Sequence, residues 1–156
     1  MPIDRILFLD VDGVLCIRGQ GGRLQSDLCT NLLNAISGLG VTIVLTSLWR
    51  HSEDRIKMLE EQGIKIHSAT DDIEEEPRSR EIAQWLDDHQ PQISPTVRIA
   101  VLDDSSLANP LSLPDFKFKE ATRFFQTLPH GTRSSDPGLT PRIAETIRGH
   151  LSAGLI

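Results

Sequence analysis

The stretch Arg5-Ile6-Leu7-Phe8-Leu9-Asp10-Val11-Asp12-Gly13 constrains this chain more than any other. Four consecutive apolar residues, Ile6 to Leu9, do not alternate with polar ones, so they read as a strand covered on both faces. A strand of that kind belongs to a parallel sheet with helices on either side. The run ends in two carboxylates and a glycine. Asp10 and Asp12 are two positions apart, and continued extended geometry sends both side chains to the same side. Like charges this close need a cation or a shared proton to offset them. Gly13 lets the chain turn sharply as it leaves the sheet. The plainer alternative is a strand end followed by an Asp-Gly turn.

Two further strand ends decide between these readings. Val41-Thr42-Ile43-Val44-Leu45-Thr46 is β-branched and apolar and runs into Ser47, Leu48, Trp49 and Arg50. Between it and the first strand lies a helix-length crossover with Leu28, Leu32, Ala35, Ile36 and Leu39 at helical spacing, Ser26 as its expected N-cap and Gly38 and Gly40 at its end. Strand, helix, strand gives a parallel βαβ unit, in which ligands bind beyond the carboxyl ends of the strands. Thr46 and Ser47 then share a rim with Asp10 and Asp12. A hydroxyl and a free N–H there suit an anion such as phosphate, and a simple Ser/Thr turn is the competing reading. Val97 to Leu102 forms another apolar strand and ends in Asp103-Asp104-Ser105-Ser106. Two strands thus deliver two carboxylates each to one rim, a concentration of charge for which an oxygen-loving divalent ion such as Mg2+ is the natural compensation.

The connecting segments are less constraining. Arg18 and Arg23 lie in a glycine-rich loop, either lining a phosphate entrance or simply solvated. Ser52 caps a helix that opens with Glu53 and Asp54 and ends at Gly63. A short strand is expected at Ile64-Lys65-Ile66, and a solvated acidic loop at Asp71–Glu76. Arg78 and Arg80 precede a helix bearing Ile82, Ala83, Trp85 and Leu86, and can reach an anion at the rim or pair with the acidic loop. A linker is expected from Pro91 to Pro95, and strands or edge packing around Phe116, Phe118, Phe124 and Phe125. The loop 131–138 carries Thr132, Arg133, Ser134, Ser135 and Asp136, which could face substrate. Thr140 and Pro141 start the last helix. His51 and His67 have no partner at metal-ligand spacing and are expected at the surface or in loops, and His130 and His150 are expected to be bystanders rather than catalysts.

A length of 156 residues fits one domain, 1–156, and an apolar fraction of 38% with 24% charged residues fits a globular protein. The net charge of -6 argues against a general nucleic-acid-binding surface. Cys16 and Cys29 form neither a metal-type pair nor a disulfide framework. No apolar stretch reaches membrane-spanning length and no signal peptide is visible, so a cytoplasmic protein without membrane association is expected.

Taken together, Asp10-Val11-Asp12-Gly13, Thr46-Ser47 and Asp103-Asp104, each after an apolar strand, resemble the first, second and fourth motifs of the haloacid dehalogenase (HAD) superfamily. Thr-Ser-x-Trp-Arg, the Trp-Leu helix, Leu-Asp-Asp and Gly-Leu-Thr resemble a small subgroup that includes HAD domains linked to RNA repair proteins. The resemblance runs from about Ile6 to about Leu151. It implies a three-layer, doubly wound parallel α/β sheet (the Rossmann-like HAD fold), and the short intervals between motifs leave no room for a large cap domain. It also implies a Mg2+-dependent phosphatase in which Asp10 is the nucleophile and Asp12 the general acid and base. Mg2+ would be held by Asp10, the backbone carbonyl of Asp12 and Asp103, with Asp104 orienting a metal-bound water or Asp103. Thr46, the Ser47 N–H and a third-motif cation would hold phosphate. The family carries Lys, sometimes Arg, at that third position; spacing to Ile82 puts it at Arg78, with Arg80 the alternative. Arg50 adds either a substrate contact or a structural ion pair. The partner implied is a phosphorylated small molecule or nucleic-acid end. A receiver-like module that keeps its phospho-aspartate, or a non-catalytic module that binds metal or phosphate, is the alternative class.

Overall fold

In the computed structural model, which describes residues 2–153, five strands form one parallel sheet in the order β3-β2-β1-β4-β5. They are β1 (Ile3–Leu9), β2 (Thr42–Leu45), β3 (Ser68–Ala69), β4 (Ile93–Asp103) and β5 (Thr122–Gln126). The helices are α1 (Ser26–Ile36), α2 (Glu53–Glu61), α3 (Arg78–His89) and α4 (Pro141–Ser152). The order places β1 in the middle, where its apolar run is needed. Ile6, Leu7, Phe8 and Leu9 are wholly buried.

Alternate residues of that run feed two cores. Leu7 and Leu9 pack with Leu28 and Leu32 of α1, Leu59 of α2, and Ile147 and Leu151 of α4. Ile6 and Phe8 pack on the opposite face with Ile82, Trp85 and Leu86 of α3 and with Leu113 and Phe116. The Phe8 and Trp85 rings meet edge to face, 5.5 Å apart, a favoured aromatic geometry. The result is the expected three-layer, doubly wound α/β arrangement. Residues 10–25, which join β1 to α1, contain no helix or named strand and build no cap domain.

Some local expectations change. The short strand anticipated at Ile64-Lys65-Ile66 forms instead at Ser68–Ala69, paired with Val44 and Leu45. Ile64 is buried and Ile66 packs on the first core, so their apolar character reports packing, whereas ladder bonding begins only with the His67 N–H donated to Ile43 O at 2.9 Å. Pro91 sits in a 3-10 turn and β4 already starts at Ile93, which shortens the linker. Helix α1 begins at Ser26 with Gln25 as its cap residue, without a side-chain cap. Thr140 does cap α4, accepting from the Ile143 N–H at 3.3 Å. Phe124 and Phe125 lie in β5, while Phe116 joins the second core.

Chain order reverses at β1: β2 and β3 follow on one side, β4 and β5 on the other. The carboxyl ends of β1 and β4 therefore flank the switch point, the place where open α/β sheets bind ligands.

Candidate active site

Register brings the motif residues into one row. Leu9 pairs with Leu45 on one side and Leu102 on the other, so the next residues along each strand, Asp10, Thr46 and Asp103, stand side by side at the rim. Backbone bonds hold them: Asp10 N–H to Leu102 O at 3.0 Å, Thr46 N–H to Leu9 O at 2.9 Å, and Thr127 N–H to Asp103 O at 3.0 Å. Past Asp10 the chain turns tightly, with Val11 O accepting from the N–H groups of Val14, Leu15 and Cys16. Gly13 makes the turn possible twice over. Its φ is +82°, and a Cβ there would lie 2.0 Å from Asp104 Oδ2, so neither the conformation nor the space admits a side chain. Thr127 Oγ1 fastens the turn by donating to Gly13 O at 2.6 Å.

Carboxylate oxygens of Asp10, Asp103 and Asp104 all lie within 4.8 Å of one another. Asp10 and Asp103 are almost fully buried. Two cations answer them. Arg78, in the first turn of α3, sits 3.1 Å from Asp10 Oδ1 and 2.7 Å from Asp103 Oδ2. Arg18, from the glycine-rich loop, pairs with Asp104 at 2.5 Å. Asp103 Oδ1 also accepts the Ser105 N–H at 2.9 Å. Asp10 Oδ2 is buried without a hydrogen-bond partner among the described residues. Burial above all, and then the Asp103 and Asp104 charges against the relief from Arg78, push the Asp10 carboxyl up to about 8. Burial likewise raises Asp103, with Arg78 opposing it. Burial works against the Arg78 charge, but Asp10 and Asp103 outweigh it and raise the guanidinium pKa.

This environment fits a hard divalent ion. Three oxygen donors converge, one buried carboxylate oxygen is unpartnered, and the buried acid is forced toward protonation unless positive charge is added. Asp12 stands half-buried on the turn, and its side chain is outside the three-carboxylate group; for holding the ion the resemblance draws on its backbone carbonyl, and its side chain is left for the acid and base role.

The other expected residues divide. Thr46 and Ser47 are buried at the rim, and Ser47 Oγ accepts the Trp49 N–H at 3.2 Å, leaving its hydroxyl occupied as a turn cap. Arg80 lies half-exposed, bonded to Asp115 at 3.0 and 3.2 Å, away from the carboxylates. Arg50 is turned inward: its guanidinium donates to Thr46 O at 2.5 Å and Ser47 O at 3.1 Å, bonds Asp72, and lies 3.7 Å from Glu81. Asp72 also meets His51 at 2.7 Å, so the acidic loop is tied to the second motif. Residues 131–138 contribute nothing to the cleft over the carboxylates; Asp136 lines a separate hollow with Asp27 and Asn31. Helix α3's Glu81, which also accepts the Ile73 N–H at 3.0 Å, was not singled out from sequence. Nothing in a lone glutamate of a helix's first turn marks it as the partner of Arg50.

A cleft of about 340 Å3 opens over this group, lined among others by Arg18, Leu48, Arg78, Asp103, Asp104 and Leu107. Among the described residues, no helix is long and apolar enough to cross a membrane.

No curated protein matches the chain. Among solved structures, a chain from the "Structure of Pnkp1/Rnl/Hen1 complex" superposes with a TM-score of 0.50 at 19% identity, over 82% of this chain and 46% of that one. The likeness is one of fold, and this chain spans less than half of its neighbour. A family model described as "HAD domain in Swiss Army Knife RNA repair proteins" matches residues 6–127, from Ile6 in β1 to the threonine that fastens the Gly13 turn. The chain belongs to that family of HAD domains.

Proposed function

We propose that residues 1–156 act as one hydrolase domain, a Mg2+-dependent phosphatase that works through an aspartyl-phosphate on Asp10. The observation that carries this reading is the buried Asp10, with one oxygen unpartnered, inside a group of three carboxylates faced by Arg78. Asp10, Asp103, Asp104 and the carbonyl of Asp12 would hold Mg2+. Bound there, the ion supplies charge neutralisation for carboxylate and phosphate alike.

The chain's own groups supply the rest. The Asp10 carboxylate attacks phosphorus, and the bond from phosphorus to the leaving oxygen breaks as Asp12 gives that oxygen its proton. Asp12 then takes a proton from water. The water oxygen bonds to phosphorus, the Asp10–phosphorus linkage breaks, and inorganic phosphate leaves with Asp10 restored. Arg78 is the third-motif cation rather than Arg80, and with Thr46 and the Ser47 N–H it binds the phosphoryl oxygens on which charge is carried in the transition state. Arg50, bonded to the carbonyls of Thr46 and Ser47, positions the second motif instead of touching substrate. The family's description supports a phosphorylated nucleic-acid end as substrate. The net charge of -6 favours an end, which presents little backbone, over an extended strand.

Phosphate release from a panel of phosphorylated metabolites and 3′- and 5′-phosphorylated oligonucleotides, with and without Mg2+, tests the reading. Metal-dependent turnover by the native chain that is lost in Asp10→Asn is expected. A phosphoryl group that persists on Asp10 without turnover would instead make this a signalling module.

A further inference from the structure

We propose that Leu48 and Leu107 are specificity-determining residues that take the leaving group of the phosphomonoester between them and select a flat ring with apolar faces, a nucleobase. The proposal rests on the phosphatase reading of the same cleft and adds the part of the substrate that is read and the side chains that read it.

Leu107 and Leu48, at 70% and 66% exposure, are the two most exposed large apolar side chains among the described residues. Exposed leucines are ordinary when scattered. These two line the same cleft, the one over Asp103 and Asp104. They are also built alike. Each lies in a 3-10 turn directly beyond a strand that borders β1: Leu48–His51 after β2, and Ser106–Ala108 after β4. Each turn is capped by a serine hydroxyl, Ser47 Oγ accepting from Trp49 N–H and Ser105 Oγ from Leu107 N–H, both at 3.2 Å. Because β2 and β4 flank β1, the two turns stand on either side of Asp10. The first is pinned further by Trp49, fully buried, and by Arg50 on the Thr46 and Ser47 carbonyls. Neighbours in both turns, Trp49 and Ala108, point into the protein, which leaves the leucines facing solvent on rigid supports.

The remaining lining selects among apolar ligands. Beside the leucines the apolar lining is only Pro77 and the buried Ala108, and Arg18, Asp72, Glu76 and Glu81 also border the cleft, so the apolar part of the wall is short. An acyl chain would run on into charged groups. A nucleobase offers apolar faces for leucine and polar edges for the charged surround, and needs no more apolar depth than this.

The test uses calorimetry on the Asp10→Asn chain with Mg2+, where no turnover interferes, and compares uridine 3′-monophosphate, glycerol 2-phosphate and butyl phosphate. Covering about 50 Å2 of leucine and ring surface favours the nucleotide over glycerol phosphate by about tenfold. Leu48→Ser and Leu107→Ser should each lower that ratio about threefold, and the double variant should bring it close to one. Both side chains are exposed, so melting temperatures should stay with that of the parent, which separates lost recognition from lost folding. Equal affinities for the nucleotide and glycerol phosphate overturn the proposal while leaving the phosphatase reading intact, as does a preference that survives the double substitution. Butyl phosphate binding as tightly as the nucleotide overturns selection for a ring. Failure of all three phosphates to bind this variant, together with no phosphate release from any of them by the native chain with Mg2+, overturns both the proposal and the reading beneath it.

Discussion

Replacing Asp10 by Asn should flatten the pH dependence of stability in metal-free protein. Asp10 has one oxygen without a partner and the other 3.1 Å from Arg78, and burial, with Asp103 and Asp104 adding, raises its carboxyl to about 8. In the unfolded chain the same group titrates near the ordinary value of about 3.9. Between those values the folded protein holds a proton that the unfolded one has released. The stabilisation is therefore complete below the unfolded value and is lost as pH rises toward 8, at up to about 1.4 kcal/mol per pH unit. From pH 5 to pH 7 that is on the order of 2–3 kcal/mol, or roughly 4–12 °C in Tm for a chain of this size. Asn keeps the shape and has no proton to lose. Thermal unfolding in EDTA at pH 5, 6, 7 and 8 would show the native chain losing ground to Asp10→Asn at each step, with His and surface carboxylate contributions common to both. Added Mg2+ should restore the native chain most at pH 8, where the unneutralised carboxylate costs most. A constant Tm difference between the two proteins across this range would refute the reasoning, because it would mean that Asp10 titrates alike folded and unfolded.

Arg78→Ala should lower kcat/KM by about 10^2–10^3, the usual loss for one electrostatic donor to the transition state, whereas Arg80→Ala, which frees only a surface pair with Asp115, should stay within about threefold; steady-state phosphate release on the best substrate of the panel compares them. Gly13→Ala should destabilise by about 2 kcal/mol or more, since φ is +82° and the new Cβ would meet Asp104, and denaturant midpoints would report it. Arg50→Met should cost about 3 kcal/mol by leaving Glu81 and two carbonyls without their cation; a raised KM with unchanged stability would instead make Arg50 a substrate contact.

Wherever a residue's placement follows from its position on a strand, it is legible in the sequence. Ile6–Leu9 announces a central strand because a strand covered on both faces cannot alternate, and once three apolar strands end in Asp10, Thr46 and Asp103, parallel register alone aligns them. Helix and loop cations are different. Arg78 and Arg80 are two residues apart, so they point to different sides of α3; one meets Asp10 and the other Asp115, and spacing to Ile82 favoured the first without excluding the second. Arg50 finds Asp72 and Glu81 far along the chain, contacts that depend on how α3 is seated. Arg18 was open between solvent and site for the same reason, since a glycine-rich loop carries no periodicity that would aim it at Asp104. The misplaced edge strand has another origin: Ile64 and Ile66 are apolar because they pack, and periodicity cannot distinguish packing from pairing in so short a run.

The charge balance of the rim links its fold to its chemistry. Three carboxylates face two arginines, and each arginine is fixed elsewhere in the chain, Arg78 at the start of α3 and Arg18 in the loop after the Gly13 turn. Neither can move fully onto Asp10 without giving up its other carboxylate or its place in the fold. The shortfall falls on Asp10, whose second buried oxygen has no partner among the described residues, and its raised pKa is the consequence. A nucleophile needs the opposite state, an ionised carboxylate. Under the proposed mechanism, a dication among these carboxylates turns a net negative rim into a net positive one, which both ionises Asp10 and gives a phosphate dianion reason to approach it. A chain with a third arginine aimed at Asp10 would be more stable without metal, but it would occupy the oxygen that has to attack.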